Sequence, residues 1–172
     1  MRYLLAKSSL VTGLMVLLIL AGCINDKQQT MVQKVVAIES GEECHLCGMI
    51  ITHYPGPKGQ LFSKGIVGNL KFCSTRDMFA FILDPENRHN IQEAFVHDMA
   101  VSPWDHPDEK TYVDARKAWY VIGHSKRGSM GATLASFARQ QDAQSFAELE
   151  GGEVLDFDQV NIQALINMTR GH

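Results

Sequence analysis

Phe72-Cys73-Ser74-Thr75-Arg76-Asp77-Met78-Phe79-Ala80-Phe81 is the stretch from which the fold is read. The residues before it, 69–72, have the composition of a short strand. Ser74 then offers a hydroxyl at a helix N-cap, and Asp77 three residues on completes a shortened capping box. Met78, Phe81 and Ile82 fall on one face of the helix that follows. Asp84-Pro85 stops it, because the residue before a proline is pushed out of the helical region. The same spacing returns in the second half, where Phe137, Asp142 and Phe146 repeat the pattern Phe-x4-Asp-x3-Phe of Phe72, Asp77 and Phe81. In each copy the Asp stands in the first helical turn, where a negative charge meets the positive end of the helix dipole.

Outward from these two stretches, residues 60–62 and 94–101 read as strands on either side of the first helix. Residues 118–122 and 134–137 precede the second helix, 142–149, which Gly151-Gly152 ends; residues 153–157 form the returning strand. The chain is therefore expected to be α+β, two small ββαβ units related by an internal pseudo-repeat. The first covers residues 34–102 and the second 118–172, with a linker at 103–117 that carries Pro103-Trp104-Asp105-His106-Pro107-Asp108. A last helix is expected at 160–167. Residues 35–38 and 50–53 read as further short strands, the second closed by the turn Pro55-Gly56-Pro57-Lys58-Gly59.

The first 23 residues have a different character. Arg2 and Lys7 precede an apolar run at 10–20 that is too short for a bilayer span of about 20 residues but suits a signal-peptide core. Leu20-Ala21-Gly22-Cys23 resembles the lipobox of bacterial lipoproteins. That resemblance implies a signal peptide over 1–22, cleavage before Cys23, a diacylglycerol on its sulfur and a lipidated tether over 23–33. The chain would face the periplasm from a bacterial membrane, inner or outer. Each buried acyl methylene contributes about 0.8 kcal/mol to such an anchor. Removing Arg2 and Lys7 with the leader leaves 14 Lys and Arg against 19 Asp and Glu, a net charge of −5. A nucleic-acid partner is disfavoured, since phosphate binding needs a basic surface.

Beyond Cys23 there are three cysteines, Cys44, Cys47 and Cys73, an odd number that no closed disulfide framework uses up. Cys44-His45-Leu46-Cys47-Gly48-Met49 gathers two thiols, an imidazole and a thioether. Thiolate and thioether donors together select soft ions, above all Cu(I). Zn(II) would use the thiolates and imidazoles and leave the methionine idle, so it is expected only as a competitor. Gly48 stands where c-type haem attachment needs His. Spacing alone leaves metal and disulfide readings level, and Met49 tilts them towards copper. Met130, in Gly128-Ser129-Met130-Gly131, is a second thioether in an exposed loop. Met99 falls in a strand and Met78 on a helix face, where methionine is more often core. Cys73 reads as a small buried hydrophobe rather than a low-pKa thiolate. His45 and His53 lie within loop reach of Cys47. No Gly-x-Ser-x-Gly elbow, P-loop or dinucleotide fingerprint is present, and the chain is expected not to be an enzyme. Two other classes stay open: a membrane-anchored thiol–disulfide oxidoreductase using Cys44 and Cys47, and a zinc-stabilised interaction module.

Taken together, the lipobox, Cys47-Gly48-Met49, Pro55-Gly56-Pro57-Lys58, Phe72-Cys73-Ser74-Thr75-Arg76-Asp77, Arg127-Gly128-Ser129-Met130-Gly131-Ala132 and Gly151-Gly152-Glu153-Val154-Leu155 follow one another as in a known family. The chain resembles the NosL family of copper lipoproteins encoded with nitrous oxide reductase. The resemblance implies two ββαβ units, one Cu(I) per chain, and copper supplied for maturation of nitrous oxide reductase through the membrane-bound NosDFY assembly complex. Cys47 and Met49 match the family's Cys-x-Met pair, and Met130 its glycine-flanked methionine. Cys44, His53, His45 and Met99 follow as lesser candidates. Members often carry a histidine directly before the Pro-Gly-Pro-Lys turn; here Tyr54 holds that place and His53 the one before.

The anchoring expectation has a direct test. Mass spectrometry of the N-terminus of the mature protein should find diacylglycerol on Cys23, and Cys23→Ser should leave the leader uncleaved. An unmodified Cys23 on mature protein would sink the idea.

Overall fold

The computed structural model describes residues 34–170. The expected leader, the lipid-bearing Cys23 and the tether lie outside them. Among the described residues no helix is long and apolar enough to cross a membrane.

The fold is α+β. Strands β1 (Gly59–Ser63), β2 (Leu70–Phe72), β3 (Ile91–His97) and β4 (Tyr112–Asp114) form an antiparallel sheet in the order β2-β1-β3-β4. Helix α1 (Thr75–Leu83) and the short α2 (Pro85–Arg88) join β2 to β3. Strand β5 (Trp119–Ile122) pairs with β8 (Ala135–Phe137) on one side and β9 (Glu153–Asp156) on the other, again antiparallel. Helix α3 (Gln140–Glu150) lies between β8 and β9 in sequence. Each sheet thus has its first strand flanked by its hairpin partner and by the strand that returns after the helix. The additions differ: β4 extends the first sheet, and a small hairpin of β6 (Arg127–Gly128) and β7 (Gly131–Ala132) interrupts the second. Helix α4 (Ile162–Arg170) closes the described chain.

Several expected elements take another form. Three residues of the expected linker form an edge strand: Tyr112–Asp114 pairs with residues 95–97. Its short apolar pair, Tyr112 and Val113, is masked in sequence by the charged residues around it. Residues 35–38 form no strand; the Val36 N–H donates to the Gln60 side-chain oxygen at 3.3 Å, and the Val36 carbonyl accepts from the Gln60 side-chain amide at 2.7 Å. Residues 50–53 form a 3-10 turn, Ile51–His53, after a single bridge from Ile50 to Glu43. Strand β3 starts and stops three to four residues earlier than expected, because the Asp98 carboxylate accepts the Ala100 N–H at 3.1 Å and turns the chain.

One contiguous core joins the two sheets. Leu61, Phe72, Met78 and Val96 pack with Tyr120, Leu134, Leu155 and Met168. Burial of each such side chain is worth roughly 1.5–3 kcal/mol. Phe79 of α1 meets Tyr120 of β5 edge-on, ring centroids 4.9 Å apart. The approach of α1 to β1 depends on Gly59, where a Cβ would fall 2.6 Å from the Met78 sulfur.

His97 is buried in this core, its Nδ1 accepting the Lys58 backbone N–H at 3.0 Å and its ring resting on Tyr112. Burial, reinforced by the Lys58 charge, pulls its pKa down to about 3. The unfolded chain binds this proton near pH 6.5, so stability held above that pH is lost as pH falls through it. Between pH 7 and pH 5 the loss from His97 alone is about 2 kcal/mol. His97→Asn keeps an acceptor for Lys58 and removes the proton site. Urea unfolding at the two pH values should show that the variant loses less stability on acidification than the wild type.

Candidate metal centre

Three pieces of chain meet at one end of α1. The first is the turn carrying Cys44-His45-Leu46-Cys47-Gly48-Met49. The Cys44 N–H donates to the Met49 carbonyl at 2.8 Å, and the Gly48 N–H to the Cys44 carbonyl at 2.9 Å. Gly48 has φ 72°, a left-handed conformation that suits glycine and lets the chain double back. The His45 N–H donates to the Lys71 carbonyl at 2.8 Å and ties the turn to β2. The two cysteines of the CxxC therefore sit in a closed turn, and no helix starts there.

The second piece is the junction of β2 and α1. Ser74 caps α1, its hydroxyl accepting the Asp77 N–H at 3.1 Å. Cys73 precedes the cap and Asp77 stands one helical turn further on, so their side chains share a side. The Asp77 Oδ2 accepts from the Cys73 thiol at 3.5 Å and from the Cys44 thiol at 3.6 Å. The Cys47 and Cys73 sulfurs are 3.5 Å apart. All four donor atoms, of Cys44, Cys47, Cys73 and Asp77, lie within 4.8 Å of one another. Cys44, Cys73 and Asp77 are buried, and Cys47 is exposed.

The third piece is the β6–β7 hairpin. At its tip, the Ser129 hydroxyl donates to the Cys73 sulfur at 2.9 Å. Arg76 of α1 donates to the Met130 carbonyl at 3.2 Å, and the Met130 side chain is 47% exposed. The hairpin is held from behind by Trp104, whose indole N–H donates to the Arg127 carbonyl at 2.9 Å. Gly56 of the Pro-Gly-Pro-Lys turn donates to the Trp104 carbonyl at 2.7 Å.

The thiols do not share charge equally. Hydrogen bonding from Cys73 draws the Cys44 thiol down to about 5, against the cost of burial. Cys73 itself is raised by the same pairing and by burial, and Cys47 is raised by burial. Lys58 is buried nearby, its ammonium donating to the carbonyls of Tyr54 at 2.6 Å and Pro55 at 3.0 Å. Burial lowers its pKa to about 8, while the charges of Cys73, Glu109 and Cys44 work the other way.

Of the candidates read from sequence, Cys47 and Cys44 are in the cluster. Met49 lies in the same turn, half-buried. Met130 sits at the hairpin tip beside the residue that touches Cys73. His45 turns away, its ring packed edge-on against Phe72 and Phe81. His53 is exposed at the end of its 3-10 turn. Met99 packs among Val121, Phe137 and their neighbours. Cys73 and Asp77 are what sequence reasoning missed. Cys73 is as buried as a hydrophobe would be, yet it is also the hub of the thiol cluster. The usable signal was its spacing from Asp77 across a capped first turn, together with the unpaired third thiol.

Three thiols and a carboxylate suit a thiophilic cation. Alone they would also serve Zn(II); thioethers nearby favour Cu(I).

Known proteins similar to this chain carry copper in their names. A family model described as NosL matches residues 35–165. The copper-binding lipoprotein NosL of Stutzerimonas stutzeri is 47% identical over 147 residues, covering 86% of this chain and 76% of that one. The copper-binding lipoprotein NosL of Achromobacter cycloclastes is 37% identical over 142 residues, covering 81% and 72%. The crystal structure of the copper chaperone NosL from Shewanella denitrificans superposes with a TM-score of 0.74 at 48% identity, covering 76% of this chain and 97% of that one.

The geometry predicts which thiols matter. With Cd(II) as a thiophilic probe in competition with a chromophoric chelator, Cys73→Ser should lower affinity as much as Cys47→Ser does, while His45→Ala leaves it unchanged. Wild-type affinity in Cys73→Ser would remove Cys73 from the centre.

Proposed function

The chain belongs to the NosL family, and on that premise we propose that it is a lipid-anchored, periplasm-facing Cu(I) chaperone. It is a carrier and not an enzyme, and its cargo is one Cu(I) per chain, destined for the copper centres of nitrous oxide reductase through the NosDFY assembly complex. The observation that carries the proposal is the cluster of three thiols with one of them, Cys47, exposed at its edge.

A transfer site must hold a metal and also release it. Cys47 is the ligand an incoming donor reaches first, and Met49 and Met130 are the thioethers that complete its soft surroundings. Weak thioether donors let a partner's sulfur displace them one at a time, so that copper never leaves a coordination sphere. The buried Cys44 and Cys73 supply the thiolate character that discriminates Cu(I) from harder ions. A thioredoxin-like activity finds less support, because Cys44 is buried and its CxxC stands in a closed turn.

Anaerobic titration of the reduced protein against a Cu(I) chelator should show one tightly bound Cu(I) and weaker binding of Zn(II). Met130→Leu keeps bulk and apolarity, so the expected loss is in Cu(I) affinity and not in stability. X-ray absorption at the copper edge should show one sulfur fewer in that variant. Unchanged sulfur coordination would remove Met130 from the ligand set.

A further inference from the structure

Cys47 and Cys73 come from segments 26 residues apart in sequence, yet their sulfurs stand 3.5 Å apart. Disulfide formation needs an approach to about 2.0 Å, and the starting separation is already short. Cys44, the other member of the CxxC, is buried and faces the Asp77 carboxylate at 3.6 Å. The turn that separates Cys44 from Cys47 is already fixed by two backbone hydrogen bonds. Accessibility and contact therefore select the same pair. Cys47 is the exposed one of the three thiols, and its sulfur makes its 3.5 Å contact with Cys73, while the Cys44 sulfur stands within 4.8 Å.

We propose that Cys47 and Cys73 form a disulfide in the metal-free protein, by exchange with an external disulfide, and that this bond closes the metal centre until it is reduced. In the first step the Cys47 sulfur attacks one sulfur of the external disulfide. A mixed disulfide forms and one thiol is released. The Cys73 sulfur then attacks the Cys47 sulfur, the Cys47–Cys73 bond forms, and the second external thiol leaves. Two protein thiols are oxidised, the external disulfide is reduced to two thiols, and the two protons end on those thiols. Cys44 stays a free thiol beside Asp77.

The bond would remove two of the three thiolates and fasten the turn to the start of α1. A bound metal ion blocks the same exchange, because its thiolates are engaged. The pairing stands on the sulfur geometry alone; its effect on loading rests on the copper reading given above.

Peptide mapping decides the pairing. Cys44 and Cys47 lie on one tryptic peptide, residues 35–58, and Cys73 lies on another, residues 72–76. Reduced, metal-free protein is treated with oxidised glutathione, capped with N-ethylmaleimide and digested. The expected product is peptide 35–58 linked to 72–76, with the maleimide on Cys44. Cys44→Ser should give the same link, and Cys73→Ser should lose it. A bridge within 35–58, a link through Cys44, or three capped thiols would each overturn the pairing. Oxidised protein should fail to take up Cu(I) and should recover after a dithiol reductant. Equal uptake by oxidised and reduced protein would overturn the gating. A reduced protein that takes no Cu(I) would overturn the copper reading and the gating with it, while the peptide map still decides the pairing.

Discussion

The buried start of helix α1 is the constraint on which the rest of the molecule hangs. Thr75 sits there with no exposure, its hydroxyl donating to the Leu134 carbonyl at 2.6 Å, and its own N–H donating to the Pro57 carbonyl. Ser74 beside it satisfies the Asp77 N–H that the first helical turn leaves open. Ser74 and Thr75 thus tie the start of α1 to the Pro-Gly-Pro-Lys turn and to the second half of the chain. The metal centre is assembled on that tie. Cys73 precedes the cap, Asp77 follows it, and the hairpin that brings Ser129 belongs to the half that Thr75 holds. Buried hydrogen bonds of this kind are costly to leave unmade, so positions within the centre inherit the rigidity of the core.

Burial and exposure are divided within the centre in a way that suits the proposed handover. Cys44, Cys73 and Asp77 are protected, Cys47 is exposed, and Met130 is exposed at the hairpin tip. On the proposed reading, the buried thiols would lie beneath a ligand that a partner could reach. Lys58 adds a fixed positive charge held by backbone carbonyls. Its attraction to a Cys44 thiolate would offset part of the cost of keeping negative sulfur inside the protein.

Much of this was legible from the residues. The capped helix after Phe72, the second after Phe137, and the strands around them are written in periodicity and capping chemistry, and both ββα stretches stand where expected. The fourth strand, Tyr112–Asp114, was not legible, since a three-residue edge strand has too little pattern to rise above its charged surroundings. Residues 50–53 looked strand-like because Ile50 and Ile51 are β-branched; the chain instead turns there, and Ile51 is buried in the core as part of a 3-10 turn. For the centre, local spacing found Cys44, Cys47 and Met49, which are neighbours in sequence. Cys73 and Asp77 come from a separate segment, and only the folded chain shows that they reach the same point.

The hairpin that carries Ser129 and Met130 has a consequence for how such a chain drifts in evolution. Its register pairs Arg127 with Ala132 and Gly128 with Gly131, leaving two residues for the turn. A Cβ on Gly128 would fall 2.9 Å from the Thr133 side chain, and Gly131 has φ 87°. Adding or removing one residue would exchange which side chain meets Cys73 and which faces outward. This segment therefore tolerates substitution only within a fixed length. The loop between β1 and β2 has Val67 fully exposed and open space around Gly65 and Gly68, so insertions and deletions among relatives should collect there.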